Sequence, residues 1–457
     1  MSKEFENMAL APIRILEIEI GQPLLPVSPE DKGYSYRQAL CLIRLHSRPL
    51  GMIELDLTNG PINADDCAQH IWNALGAKIS VHLQQDNLPA IRGLGSEGIQ
   101  VAQKPYCIEE RERFLKEAPF VSIIVPMHER PERIPACLNA LLALDYPQYE
   151  IIVVDNAPKT DATANFMHEN YQDHPHVCYV REERAGVSWA RNRGIQTAKG
   201  EILAFADDDV LVDRYWLAEL VKAFQVTSNV GCVTGLILSG ELETPAQILF
   251  ESHDEESGYS DQWRFSQHIF TRRKRHVHLY KIALFGAGAS MAFKADLLRA
   301  IGGFDPALGT QGLVQSGEDI AAYFKLLMQG YDVVYEPASL VYHKNRREYE
   351  ALYQQIYHYG IGATAYLTKN LLEHPQLVID LFTKVPYDLF MSMKSLKKKR
   401  PTSVIYPKEL AAMSYKGMWR GPFVYLKGRW ITRGQRKALT SFQVEGNGSV
   451  EKGRSVS

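Results

Sequence analysis

The sequence predicts an α/β protein. Its centre is a doubly wound, mostly parallel sheet, with a small α+β or β-rich module before it and a helical extension after it. Three observations carry this. From Phe120 onward, near-continuous apolar runs of strand length alternate with stretches of helical spacing, as in a parallel sheet buried on both faces. The earlier residues read differently, as an apolar hairpin followed by one long amphipathic run. Past about residue 345 the strand signals cease and helical spacing takes over. At 457 residues the chain exceeds the ~250–300 residues at which one core stops growing. The expected division is 1–118 for the module and its linker, 119–345 for the sheet domain, 346–442 for the helical extension and 443–457 for a disordered tail.

In order along the chain, "ALCLIRLHSRPLGMIELDL" reads as two strands turning at Pro49 to Gly51. "NADDCAQHIWNALGAKISVHL" opens on a cap-like Asn63 and continues as a helix. "LGSEGIQVAQKP" is polar linker, and "CIEERERFLKEAP" a short helix ending near Pro119. "FVSIIVP", "YEIIVVD", "HVCYVRE" and "EILAFADDD" are four strands. Between them lie the helix "RIPACLNALLAL", the turn "NAPKTDAT" and the helix "SWARNRGIQTAKG", closed by Gly200. Ligands of such sheets bind outside the carboxyl ends of the strands. Asp155 and the acids Asp207, Asp208 and Asp209 all fall there and should meet in one crevice.

Three adjacent carboxylates repel one another and are costly at the tip of a buried strand. A hard divalent cation, Mg²⁺ or Mn²⁺, offsets that repulsion, takes oxygen ligands and leaves room for a substrate phosphate. The simpler reading, acids capping the next helix, needs one Asp rather than three.

Composition narrows the partners. The net charge of −2 supplies no global field for nucleic acid, so none is expected as a partner. The six cysteines are scattered without CxxC or metal spacing and read as buried reduced thiols of a cytosolic protein. The N-terminus "MSKEFENMAL" lacks an apolar leader region, and no stretch approaches the ~18–20 apolar residues of a membrane span. A cytoplasmic location, or a peripheral one on the inner face of the membrane, is expected.

"VSIIVPMHERPERIPACLNALLALDYPQYEIIVVDNAP", "RAGVSWARNRGIQTAKGEILAFADDDV", "GAGASMAFKADLLRAIGGFDPALG" and "SGEDIAAYFKLLMQGYDVVYEPASLVYHK" follow in that order. Together they resemble the family 2 glycosyltransferases of the GT-A fold over roughly residues 119–345. The resemblance implies roles for matching positions. Pro126, His128 and Glu129 would follow the first strand and contact the nucleotide, His128 standing where Tyr is common. Asp155 would hydrogen-bond the nucleoside. Arg191 and Asn192 would face the nucleotide. Asp207 and Asp209 would be the outer acids of the metal motif, with Asp208 in its variable middle, and His343 would complete the metal site. Gly286 and Gly288 of "GAGAS" would let the backbone approach donor and acceptor. Asp319 would be the catalytic base, with Glu318 positioning the acceptor. The simpler reading of "SGEDI" is Ser316 as N-cap with acids in the first turn.

The implied reaction is metal-dependent, inverting transfer of a sugar from a nucleotide-sugar donor to a hydroxyl of a glycan or lipid-linked acceptor, in surface polysaccharide or glycoconjugate assembly. The rival is a non-catalytic carbohydrate-binding or scaffold protein on the same fold. Between Ser239 and Leu284 a long polar segment offers Trp263, Phe265 and Tyr280 for sugar stacking and "RRKRH" for anionic groups. Residues 377–400 combine an apolar stripe with Lys397, Lys398, Lys399 and Arg400, the makings of a peripheral membrane contact.

Overall fold

The computed structural model describes residues 10–31, 33–256, 261–271, 286–309, 313–314, 316–378 and 407–448. The chain opens with β1 (Ile13–Glu19), a short pair β2 (Glu30–Asp31) and β3 (Tyr34–Ser35), and the hairpin β4 (Gln38–Leu45) and β5 (Arg48–Asp56). β1 lies parallel to β4, giving the order β1-β4-β5. The hairpin turns at His46 and Ser47, with φ of 55° and 67°, not at Pro49 to Gly51, which lie inside β5. A two-residue hairpin loop needs positive φ at both positions to match strand twist. Glu19 offsets the strain: its carboxylate accepts the backbone N–H of His46 at 3.0 Å and of Ser47 at 2.8 Å. α1 (Ala64–Gln85) begins at Asn63, whose side chain accepts the Asp66 N–H at 2.8 Å, and it packs Ile71, Leu75, Ile79 and Leu83 on the sheet. α2 (Tyr106–Leu115) leads into the second sheet.

That sheet holds β6 (Val121–Met127), β7 (Tyr149–Asn156), β8 (Val177–Glu182), β9 (Ile202–Phe205), β10 (Val210–Val212), β11 (Val230–Ser239), β12 (His268–Phe270), β13 (Met291–Lys294) and β14 (Asp332–His343). The helices between are α3 (Ile134–Leu142), α4 (Ala162–Tyr171), α5 (Val187–Thr197), α6 (Trp216–Lys222), α7 (Pro245–Glu256), α8 (Asp261–Arg264), α9 (Ala295–Ala300) and α10 (Glu318–Met328). The strand order is β10-β14-β11-β13-β9-β6-β7-β8, with β12 on β14. Parallel pairing joins β9-β6-β7-β8 and β11-β14; β10, β12 and β13 pair antiparallel.

The period-2 alternation is filled on both faces. Val121, Ile123 and Val125 of β6 pack with α3 and α6, whereas Ile124, Ile152 and Val154 pack with α5 and α10. This is the doubly wound arrangement, and the direction of winding reverses between β6 and β9. Gly200 is not a helix cap. α5 ends at Thr197, and a Cβ on Gly200 would stand 2.5 Å from the Ser122 nitrogen, so glycine serves a close backbone approach.

α11 (Tyr349–Glu373) and α12 (Lys408–Gly448) pack side by side in parallel, Tyr349 meeting Glu409 near their starts and Thr364 meeting Met418 further along. Glycines set its spacing. A Cβ at Gly360 would lie 2.1 Å from the Ser414 carbonyl, and one at Gly417 2.2 Å from that of Tyr357. α12 runs through residues 443–448, which the sequence reading placed in a disordered tail. Of the segment 377–400, residues 379–400 lie outside the described residues. Among the described residues, no helix is long and apolar enough to cross a membrane.

Candidate active site

The crevice opens at the carboxyl ends of β6, β7 and β9, and the acids gather there. Asp207, Asp208 and Asp209 form the turn between β9 and β10. β10 then pairs with β14, setting Val210 opposite His343, so the His343 Nε2 comes 3.2 Å from Asp209 Oδ1. The other ring nitrogen is fixed by Asn345 Oδ1 at 2.8 Å. Burial opposes a charged His343, but the hydrogen bond and charge of Asp209 outweigh it and hold its pKa above the usual value. Asp209 also faces burial, and His343 with Arg346 and Arg133 holds its pKa below the usual range. Asp208 is pushed up to about 7, by burial first and then by Asp209 and Asp207.

Asp209 and His343, a carboxylate and an imidazole, are ligand types that suit a hard or borderline divalent cation, while Asp207 Oδ1 is 3.2 Å from Arg191 Nη2. The guanidinium groups of Arg133 and Arg346 both stand 3.8 Å from Asp209 Oδ2, beyond hydrogen-bonding reach, so that carboxylate retains coordinating capacity. Sequence reading missed both arginines. Each lies beside a motif that was read, in "HERPER" and "YHKNRR", but periodicity gives no direction to a loop side chain.

On the opposite wall, α5 sends Arg191 into the crevice. Its Nη1 donates to Glu318 Oε1 at 2.6 Å and its Nη2 to Asp207 Oδ1 at 3.2 Å and the Gly288 carbonyl at 3.4 Å. The Gly288 N–H in turn donates to Asp319 Oδ2 at 2.7 Å. Arg191, Asp207, Gly288, Glu318 and Asp319 therefore form one connected network. A Cβ on Gly288 would stand 2.5 Å from Arg191 Nη2, and Gly286 has φ of 108° with Thr234 packed against it, so both positions require glycine. Burial raises the pKa of Glu318 and of Asp319, and Arg191 lowers both. Glu318 Oε2 is buried with no hydrogen-bond partner among the described residues.

α10 begins at Gly317, in left-handed conformation, rather than at Ser316. The Ser316 hydroxyl donates instead to the His358 carbonyl at 3.3 Å. Asn192 does not face the crevice. Its side chain clasps the Phe304 backbone, donating to the carbonyl at 2.8 Å and accepting the N–H at 2.9 Å.

Asp155, at the end of β7, is fully buried, and burial raises its pKa. Its Oδ2 accepts the Tyr179 hydroxyl at 2.9 Å, while Oδ1 has no partner among the described residues. Pro126 lies inside β6, paired with Val154, so the loop begins only at His128. The His128 Nδ1 bonds the Asn156 carbonyl at 2.5 Å, and Glu129, with φ of 48°, accepts the Lys159 N–H at 2.7 Å. Trp263 is packed face to face with His268 at 4.5 Å and Tyr335 at 5.1 Å, and Phe265 is buried, so these rings anchor their segment. Tyr280 and "RRKRH" lie outside the described residues.

Residues 122–302 match the model of glycosyl transferase family 2. Over 112 residues, 24% of this chain and 36% of the relative, it is 36% identical to glycosyltransferase AglE of Haloferax volcanii. Over 242 residues, 50% of this chain and 54% of the relative, it is 26% identical to the poly-beta-1,6-N-acetyl-D-glucosamine synthase of Staphylococcus epidermidis. The chain thus spans about half the length, or less, of these curated relatives. The mannosyltransferase PcManGT from Pyrobaculum calidifontis, solved with GDP-Man and Mn²⁺, aligns at TM-score 0.39 and 21% identity, covering 74% of this chain and 86% of that one.

Proposed function

We propose that the chain is an inverting glycosyltransferase that moves a sugar from a nucleoside-diphosphate donor to a hydroxyl of a glycan or lipid-linked acceptor. The setting is surface polysaccharide or glycoconjugate assembly. The observation that carries the reading is the network of Asp207, Arg191, Gly288, Glu318 and Asp319 in the crevice of a chain that matches the family 2 model. A protein that only bound sugar would have no need to bury Glu318 beside Asp319 with an orphaned oxygen.

Asp155 Oδ1 would accept a nucleoside hydroxyl or N–H, which would satisfy its orphaned lone pairs. Asp207, Asp209 and His343 would hold a divalent cation, Mn²⁺ or Mg²⁺. When bound, it would supply charge neutralisation for a leaving diphosphate. Arg133 and Arg346 flank the same carboxylate and are placed to receive phosphate oxygens. Asp319 is the base: it takes the acceptor hydroxyl proton as that oxygen attacks the anomeric carbon from the face opposite the diphosphate. One displacement with one base inverts the configuration. The Gly288 N–H holds Asp319 Oδ2, and Arg191 fixes the Glu318 carboxyl beside it, where it would orient the acceptor.

The test is calorimetry with a panel of nucleoside diphosphates, with and without Mn²⁺, followed by a nucleotide-sugar screen for released diphosphate. At least one nucleotide should bind more tightly with Mn²⁺, and Asp209→Ala should abolish that enhancement. If no nucleotide binds under either condition, the reading falls and the scaffold alternative stands.

A further inference from the structure

We propose that the N-terminal module carries a structural Zn²⁺ site formed by His46, His82, Asp86 and Cys107. The four residues come from three elements. His46 sits in the β4–β5 turn, His82 in the last turn of α1 with Asp86 as its cap, and Cys107 in the first turn of α2. All four are buried, and one ligand atom from each lies within 4.8 Å of all the others. Asp86 Oδ2 is 2.6 Å from His46 Nδ1, 3.1 Å from His82 Nε2 and 3.1 Å from Cys107 Sγ. The two ring nitrogens are 3.2 Å apart.

Hydrogen bonding alone accounts poorly for this packing. One carboxylate oxygen would accept from two imidazoles and a thiol at once, with two ring N–H groups aimed into the same small space. A cation removes the conflict. The imidazoles offer lone pairs, the thiol releases its proton to solvent and coordinates as thiolate, and Asp86 contributes one oxygen. Asp86 Oδ1 already accepts the Cys107 N–H at 2.9 Å, which orients the carboxylate from outside. One thiolate, two imidazoles and one carboxylate match the ligand types of Zn²⁺. Four protein ligands close a tetrahedral shell, the mark of a structural rather than catalytic site.

The placement gives the ion a task. The hairpin and α2 present cations to the sheet domain: Arg44 Nη1 reaches Asp213 at 2.7 Å and Arg111 Nη1 reaches Glu219 at 3.3 Å, while Arg111 also ties α2 to the hairpin turn through Ser47 Oγ at 2.8 Å. Asp213 and Glu219 flank and form α6, which follows the acidic turn of the active site. Zinc would lock the turn, α1 and α2 into one base that holds this face.

The experiment uses the full chain, purified without a histidine tag and dialysed before elemental analysis. Stoichiometric zinc is expected in the wild type and in Asp209→Ala, and little in Cys107→Ser. Co²⁺ added to chelated wild type should give a thiolate-to-metal charge-transfer band that Cys107→Ser lacks. Should that variant not fold, chelation and zinc add-back on the wild type decide the matter, since Tm should fall and then recover. Absence of zinc, of the Co²⁺ band and of any Tm response would overturn the site and leave a hydrogen-bonded staple.

A separate observation concerns α12. At ~100° per residue, Tyr415, Trp419, Phe423, Leu426 and Trp430 fall within about 80° of arc, and all are exposed, Trp419 by 82% and Trp430 by 76%. The opposite face, Gly417, Gly421, Tyr425, Gly428 and Thr432, is buried. The helix thus packs its small residues inward and turns its aromatic rings outward. Lys416, Arg420, Lys427, Arg429 and Arg433 border the stripe, and Glu409 is the only acid between 408 and 433. Aromatic rings flanked by cations suit the headgroup layer of an anionic bilayer. The geometry points to this face as the surface that rests on such a membrane. Sedimentation with phosphatidylcholine vesicles, with and without phosphatidylglycerol, tests it. Binding should need the anionic lipid, weaken with salt and vanish in a Trp419→Ser, Phe423→Ser, Trp430→Ser variant. No binding would overturn it, as would light scattering that finds a dimer which the same variant converts to monomer.

Discussion

Arg191 Nη1 donates to Glu318 Oε1 at 2.6 Å across the crevice, fastening α5 to the first turn of α10. Both side chains are buried, so the pair must be judged by what its loss would leave behind. Removing the guanidinium strands an acid in a dry wall. Arg191→Met should therefore destabilise the fold by about 3–5 kcal/mol, the usual cost of breaking a buried pair from one side. Guanidinium chloride unfolding measures it; a neutral result would mean that Glu318 simply takes up a proton.

Asp319→Asn keeps the shape and the contact from the Gly288 N–H but removes the base. Turnover should fall by about 10²–10⁴, the typical contribution of such a group, while nucleotide affinity stays near wild type. Turnover within a few-fold of wild type, on a verified acceptor, would remove Asp319 from the reaction.

Gly288→Ala places a methyl group 2.5 Å from Arg191 Nη2. The guanidinium must shift, and Asp207 and Glu318 lose their common partner. A displacement of about 1 Å commonly costs ~10² in rate, so kcat should drop by that order. Circular dichroism should be unchanged. Wild-type kcat would show that the network tolerates looser geometry.

The His343 pair with Asp209 sets a pH dependence. The folded pKa of His343 is raised above 6.5 because the hydrogen bond and charge of Asp209 outweigh burial. The stability this contributes is fully present below 6.5 and is lost as pH rises through the raised folded value. In metal-free protein, the Tm advantage of wild type over His343→Gln should shrink as pH rises above 6.5. Mn²⁺ affinity should rise over the same window, because a coordinating imidazole must first lose its proton. A Tm difference that does not vary with pH would mean that His343 stays neutral throughout.

Much of this molecule follows from local rules. The apolar runs at Val121–Met127 and Tyr149–Asn156 are buried on both faces because side chains alternate with period 2, and helices of amphipathic spacing lie between them. A strand that ends in carboxylates has to end at the sheet's rim, so the position of Asp155 at the end of β7 and of Asp207 to Asp209 just past β9 was legible in the sequence. Glycine at 286 and 288 was legible as a close approach, though not what approaches.

Other features depend on directions that no period encodes. The turn at His46 and Ser47 is held by Glu19, a residue of another strand, and so overrides the propensity of Pro49 and Gly51. Asn192 sits one position from Arg191 yet clasps Phe304, because consecutive helical side chains point about 100° apart. Arg133 and Arg346 meet at Asp209 from opposite ends of the sheet domain, and Cys107, His46, His82 and Asp86 come together from three elements without any sequence spacing to announce it. The sequence by itself determined the layers, the strand ends and the acids placed on them, since these rest on periodicity and on the cost of burying charge. Which side chains share a carboxylate was decided only by the tertiary structure, because that depends on where separate elements come to rest against one another.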